Sequence, residues 1–202
     1  MRESEGGTTT RGDRERDDEQ TPCANPSSPP LLPLCFSRLS QPEYARVDED
    51  GTIRFIAAAA APSSRVARFL LLSSILTNGA AVGQRLNPAY LFLQAASGSV
   101  LTHKLAAERA LASSGLDWGV LRPGGLTSDP PAAVGGPALA REDSFFGTGA
   151  DPGTRVSRDT VAAVLVGMLA LPRPSLNRVV EVVGSPSVAV DADVGALLME
   201  VK

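Results

Sequence analysis

The sequence predicts an α/β fold, a partial doubly wound parallel sheet preceded by a disordered amino-terminal tail. Three observations carry this expectation. Short, continuous apolar runs end in small polar residues or in Pro-Gly, as strands buried on both faces of a parallel sheet do. Stretches of helical length and composition separate those runs. The first thirty residues contain no Leu, Ile, Val or aromatic side chain before Leu31 and are dense in charge and proline, so they bury too little apolar area to offset the entropy of ordering.

Each element follows from local chemistry. Residues 47–61 mix Val, Ile and Phe with alanines and read as a helix ended by Pro62-Ser63-Ser64. Arg68-Phe-Leu-Leu-Leu-Ser-Ser74 reads as the first strand, and the Asn-, Gly- and Pro-rich residues 77–88 as a loop. Residues 99–114 are alanine-rich and reach Gly115, a C-cap that accepts a left-handed backbone. Asp117-Trp-Gly-Val-Leu-Arg-Pro123 is a second strand, halted by Pro-Gly-Gly. Residues 124–154 read as irregular. Ser157 is placed to cap a helix carrying Val161, Val164, Leu165, Met168 and Leu169 at helical spacing, and Pro172 closes it. Residues 178–183 form a third strand. The expected organisation is a leader over 1–42 and an incomplete domain over 43–202.

Composition excludes several functions. A chain of 202 residues with 43% hydrophobic content can form one core, and a net charge of −3 gives no general reason to bind nucleic acid or anionic membrane. No apolar run approaches the ~20 residues of a membrane span. With Cys23, Cys35 and one histidine, His103, no Cys/His metal set is expected, and a Ser-His-Asp or Cys-His nucleophile has little support. The two cysteines read as reduced and functionally idle. The tail is too acidic for an organelle presequence and has no secretory apolar region. Arg11-Gly12-Asp13 reads as a chance tripeptide.

Ligands of open α/β sheets sit beyond the carboxyl ends of the strands. The first strand ends at Ser73-Ser74 and the second at Arg122-Pro-Gly-Gly125, with Lys104 on the helix between them. Hydroxyls and backbone amides there can hydrogen-bond a polar cofactor, glycines admit its close approach, and a lysine can reach ribose hydroxyls or phosphate. The bland readings are a strand end for Ser73 and Ser74, a helical pair of Lys104 with Glu108, a structural His103, loop orientation of Arg122 through carboxylates such as Asp129, and packing for Trp118.

Arg68-Phe-Leu-Leu-Leu-Ser-Ser74, Lys104-Leu-Ala-Ala-Glu108, Ser114-Gly-Leu-Asp-Trp118 and Leu121-Arg-Pro-Gly-Gly-Leu126 together resemble the atypical short-chain dehydrogenase/reductase family, in its NAD(P)H-binding plant and algal branch. Val47-Asp-Glu-Asp-Gly-Thr52, Asn78-Gly-Ala-Ala-Val-Gly-Gln84, Asn87-Pro-Ala-Tyr90 and Val156-Ser-Arg-Asp-Thr-Val-Ala162 fit the same branch. The resemblance runs from about residue 44 to 184 and implies a Rossmann-like fold with NADP or NAD as cofactor. It implies that Ser73, Ser74, Lys104, Pro123, Gly124, Gly125 and Leu126 contact that cofactor, with Ser74 and Lys104 as the catalytic candidates. Several members lie in plastids, which suggests a chloroplast. No transit peptide is legible, and the cytoplasm is the alternative.

Two departures matter. The family's glycine-rich phosphate turn is absent, and Gly147-Thr-Gly-Ala-Asp-Pro-Gly153 has the wrong spacing to replace it. The expectation is therefore the carboxyl part of a domain under an unrelated leader, with an open sheet edge. Short-chain dehydrogenases also place a tyrosine four residues before the lysine, and here that position is Val100. Tyr90 is a remote substitute, with ordinary packing as its bland reading. Three functions follow: a weak NAD(P)-dependent oxidoreductase, a non-catalytic dinucleotide sensor or scaffold with a protein partner, or a truncated fragment without tight cofactor binding.

Overall fold

A computed structural model describes residues 41–96, 99–171 and 177–201. The expectations for residues 1–40, including both cysteines, lie outside them, as does Pro172. A helical stretch comes first, made of α1 (Gln41–Tyr44), a π-helical segment (Ala45–Gly51) and α2 (Thr52–Ala59). It starts earlier than the composition suggests: Glu43 and Arg46 are exposed, while Tyr44 packs against a buried cluster. Strand β1 (Arg68–Leu72) leads through turns to α3 (Pro88–Ala96), α4 (Val100–Ala112), β2 (Asp117–Pro123) and β3 (Gly125–Thr127). Then come α5 (Pro131–Val134), β4 (Gly136–Arg141), β5 (Arg155–Ser157), α6 (Arg158–Ala170), β6 (Arg178–Ser185) and α7 (Val194–Glu200).

The main sheet has the order β1-β2-β6-β4. Its first three strands are parallel, and β4 runs antiparallel to β6. Strands β3 and β5 form a separate parallel pair. The sheet is thus mostly parallel, and the stretch expected to be irregular holds β3, α5 and β4. Strand β4 hides in the sequence because it reads Gly-Pro-Ala-Leu-Ala-Arg, with no β-branched or aromatic residue. Pro137 is tolerated there because β4 lies at the sheet edge. Among the described residues β1 pairs with β2 alone.

Alternation along the strands builds two cores. Phe69, Leu71, Trp118, Val120 and Val179 face α2 and α4, meeting Ile56 and Leu111. Leu70, Leu121, Val180 and Val182 face the other side, against Val161, Val164 and Met168 of α6 and Leu198 of α7. Each fully buried aliphatic side chain there contributes about 1.5–3 kcal/mol. Caps fix the helix ends. Ser157 accepts from the Asp159 N–H, Asp193 caps α7 through the N–H groups of Gly195 and Ala196, and Gly115 takes a φ of +80° after α4. Arginines at the strand starts tie the layers together. Arg68 donates to the carbonyls of Met168 and Leu169, and Arg178 to those of Leu198 and Val201.

This layering brings the carboxyl ends of β1 and β2 side by side. The Ser73 N–H donates to the Leu121 carbonyl at 2.8 Å and the Ile75 N–H to the Pro123 carbonyl at 3.1 Å. The turn after β1 and the Pro-Gly-Gly turn after β2 therefore form adjoining walls. Leu76 holds a φ of +68° in that first turn, a conformation uncommon for a bulky residue and retained only when its surroundings over-determine it. Its side chain is buried against Ile75, Leu101 and Phe145.

Candidate functional site

A cavity of about 520 Å³ opens at these strand ends, within the usual range for small-molecule sites. Ser73, Ser74, Lys104, Pro123, Gly124, Gly125 and Leu126 all line it, so every site residue expected from the sequence faces one space. The remaining walls come from Leu72, Ile75 and Leu76, from Ala89, Phe92 and Leu93 of α3, and from Gly147 and Thr154. The sequence reading missed α3, because Pro88–Ala96 abuts a loop of Asn, Gly and Pro that masks its start. Asn87 supplies that start, its Oδ1 accepting the N–H groups of Ala89 and Tyr90.

The polar groups of the cavity differ in availability. The Ser74 hydroxyl has no hydrogen-bond partner among the described residues, so it is ready to bond a ligand. The Ser73 hydroxyl is buried and donates to Glu108 Oε1 at 2.5 Å, which leaves its lone pairs as acceptors. The Gly124 N–H is bonded to the Val182 carbonyl and the Gly125 N–H to the Thr154 carbonyl, each at 2.9 Å. These glycines therefore contribute close approach rather than free donors. A Cβ on Gly124 would lie 3.0 Å from both the Thr154 carbonyl oxygen and Val183 Cγ1, which explains why the wall needs glycine there.

Lys104 presents its ammonium at the cavity while Nζ donates to Asp48 Oδ1 at 2.8 Å. The neighbouring His103 Nδ1 meets Glu49 Oε2 at 2.7 Å. Consecutive residues of α4 thus engage consecutive carboxylates of the π-helical segment. The helical pair of Lys104 with Glu108 does not form, because Glu108 turns under the sheet end toward Arg122. Tyr90 packs beside the backbone of Gly79 and its hydroxyl accepts from Gln94 Nε2. It lies outside the cavity lining.

Next to the cavity, on the α4 face of the sheet, lies a buried ionic cluster. Arg122 is 2% exposed and pairs with Glu108 Oε2 at 2.7 Å, Asp143 Oδ1 at 3.0 Å and Glu181 Oε1 at 3.6 Å. Asp129, the expected carboxylate, instead pairs with Arg155 and accepts from the Thr127 hydroxyl. Glu181 is fully buried and accepts the backbone N–H groups of Asp143, Ser144 and Phe145. Glu108 also accepts from Thr77, and Asn78 donates to Asp143 at 2.8 Å.

Burial alone would lower the Arg122 pKa, but the hydrogen bond and charge of Glu108, with Asp143 and Glu181, outweigh it and hold the guanidinium above its ordinary value. Burial pushes Glu181 above 4.5, an effect that the three amides and Arg122 only partly offset. The cluster anchors residues 143–145, Asp151 holds the N–H groups of Phe146 and Thr148, and Gly147 between them reaches the cavity wall. The sequence signal for it was an arginine and two glutamates in elements otherwise buried.

The chemistry of the cavity fits the nicotinamide and adjoining ribose of a dinucleotide. Ser74 and Lys104 offer donors to carboxamide and hydroxyl oxygens, and the glycines admit a flat ring. The sequence holds no glycine-rich turn for the pyrophosphate. No described helix is long and apolar enough to cross a membrane.

A family model described as NAD(P)H-binding matches residues 34–172. The chain is 44% identical over 138 residues to the uncharacterized chloroplastic protein At2g34460 of Arabidopsis thaliana, covering 68% of this chain and 45% of that one. It is 31% identical over 156 residues to the chloroplastic protein TIC 62 of the same plant, covering 74% and 22%. The chain spans less than half the length of these relatives.

Among solved structures it is similar to a putative NAD-dependent epimerase/dehydratase from Bacillus halodurans, with a TM-score of 0.58 and 20% identity over 80% of this chain and 63% of that one. It is also similar to a short-chain dehydrogenase/reductase from Veillonella parvula in complex with NADP, with a TM-score of 0.52 and 17% identity over 74% and 70%. These likenesses show a Rossmann-like fold.

Proposed function

Because the chain belongs to the NAD(P)H-binding family of Rossmann-like, atypical short-chain dehydrogenase/reductase proteins, we propose that the cavity at the ends of β1 and β2 holds the nicotinamide half of NADP or NAD. The observation that carries this reading is the convergence of Ser74, Lys104 and Pro123–Leu126 on one space. Ser74 donates to the carboxamide or to a substrate oxygen. Lys104, steadied by Asp48, donates to the nicotinamide ribose. Pro123, Gly124 and Gly125 form the flat wall against which the ring rests, with Leu126 at the rim and Ser73 fixing the turn through Glu108. When bound, the reduced cofactor supplies a hydride, and the chain's part is to orient it and to shield it with apolar side chains.

The non-catalytic alternative, a dinucleotide-sensing module, draws on Val100, which is 9% exposed and packed in the core at the position of the family's phenol. Titration of the chain with NADPH and NADH, followed by cofactor fluorescence, tests the binding. Saturation that weakens in Lys104→Met is expected, and no saturation with either cofactor would overturn the proposal. Oxidation of the bound cofactor by an added acceptor then separates an oxidoreductase from a sensor.

A further inference from the structure

We propose that the chain pairs with a second copy of itself through the outer edge of β1, strand against antiparallel strand, with α6 packing on its counterpart beside that edge. The two edges of the main sheet differ, and the difference carries this inference.

An uncovered strand edge presents N–H and C=O groups that recruit another strand, and proteins block it with proline, charge or a covering segment. The β4 edge has all three. Pro137 lacks an N–H, the Gly136 N–H donates to the Val188 carbonyl at 3.1 Å, and Arg141 ends the strand. The β1 edge has none of them. After Arg68 it reads Phe-Leu-Leu-Leu, and Arg68 turns its guanidinium back to the Met168 and Leu169 carbonyls. The Ser73 and Ile75 N–H groups point to β2, so strand alternation directs those of Leu70 and Leu72 outward. Among the described residues no strand pairs there. Phe69, Leu70 and Leu71 stay partly exposed between two helical layers, whereas Val120 and Leu121 beside them in β2 are fully buried.

The layers flanking this edge are apolar as well. The α7 side of α6 is marked by Gly167, where a Cβ would meet Val194 and Leu198. Ala162, Val166 and Leu169 lie on the opposite side at helical spacing. Val166 is 66% exposed and Leu169 56%, although a helix that is apolar all round is normally a covered one. On the other face, Thr52 turns toward Lys104 and Ala107 of α4, which leaves Ile53 and Ala57 of α2 at the flank. None of these flanking side chains is charged, so two copies meet without like-charge repulsion.

A two-fold axis normal to the sheet sets Leu70 against Leu70 and α6 against α6, and the same patch serves both partners, as an isologous contact requires. A five-residue strand is about 17 Å long and a helix about 10 Å across, so an edge flanked by two helices offers on the order of 500 Å². Two copies then bury about 1,000 Å², the lower end for a specific interface, which suits a reversible dimer. The pairing uses up the β1 edges and leaves the blocked β4 edges outermost, so association stops at two.

Sedimentation equilibrium of the full chain from about 1 to 100 μM, a range that brackets micromolar affinity, tests the proposal. Val166→Asp and Val166→Lys place a charge at an exposed position, and circular dichroism confirms that each variant folds. A discrete monomer–dimer equilibrium is expected, weakened about ten-fold or more in either variant alone by like charges across the axis. Mixing the two variants in equal amounts should restore it, because residue 166 meets its own counterpart. Amide exchange of the parent chain gives a readout free of any substitution: Leu70 and Leu72 should gain protection as the dimer forms. A monomer at every concentration, association beyond the dimer, a dimer that neither charge weakens, or a dimer without protection at Leu70 and Leu72 would overturn the proposal.

Discussion

Arg122 and Pro123 are consecutive residues of β2, yet they open onto opposite kinds of chemistry. On the α4 side, Arg122 is enclosed by three carboxylates, and each of those is bonded again to a hydroxyl, an amide or a backbone N–H. Beyond the end of the strand, Pro123 and the two glycines after it border a cavity in which Ser74 keeps unused hydrogen-bonding capacity. A polar group whose partners all lie within the chain holds the architecture, and one that keeps spare donors is where a ligand can gain affinity. Polarity alone does not separate the two, since the cluster is far richer in charge than the cavity.

Breaking the closed side should produce the largest effect. Arg122→Met leaves the buried Glu108 and Glu181 and the half-buried Asp143 without their common cation, and a loss of about 3–5 kcal/mol is expected in denaturant unfolding. Next comes Glu181→Gln, which keeps the shape but turns a donor toward amides that also donate. A loss of about 1–3 kcal/mol is expected at neutral pH.

The pH dependence sharpens this second prediction. Because burial raises the Glu181 pKa above 4.5, the folded state holds its proton more tightly than the unfolded chain does. Glu181 therefore contributes stability that is fully present below the unfolded value and is lost as pH rises through the folded one. The Gln variant should lack that component. An identical pH profile of unfolding free energy in the two proteins would show that Glu181 is not shifted.

Breaking the open side should leave the fold nearly intact. Lys104→Met removes a partly exposed ion pair, with a stability cost of about 1 kcal/mol or less, while NADPH affinity falls about ten-fold, roughly 1.4 kcal/mol. Ser74→Ala should change unfolding by no more than about 0.5 kcal/mol and weaken NADPH a few-fold in the same titration. A Lys104 variant that melts early, or one that binds as well as the parent, would erase the contrast between the two sides.

The elements legible in the sequence were those with strong local signals. The strands 68–72 and 117–123 showed as apolar runs ended by breakers, α6 by its Ser157 cap, and α4 by its approach to Gly115. Those missed were elements that tertiary contact makes. Strand β4 is built of small residues and is held by the register of Ala138 and Ala140 against Val183 and Glu181. Helix α7 has seven residues, docked through a fully buried Leu198.

The residues around the cavity were legible because strand-end position is a local property. Whether each hydroxyl or amide had a partner was not, since the Glu108 that engages Ser73 lies 35 positions away and the Thr154 that engages Gly125 lies on a loop with no periodic signal. The same distance explains why Arg122 was assigned to Asp129 rather than to Glu108, Asp143 and Glu181.

The most direct measurement is amide hydrogen exchange of the full chain with and without saturating NADPH. Slowed exchange confined to residues 73–76, 123–127 and 147–154, with the amides of 143–145 over Glu181 equally protected in both states, is the expected result. Protection appearing only at sites away from these strand ends, or no change at any of them under conditions where NADPH is bound, would contradict the placement of the dinucleotide.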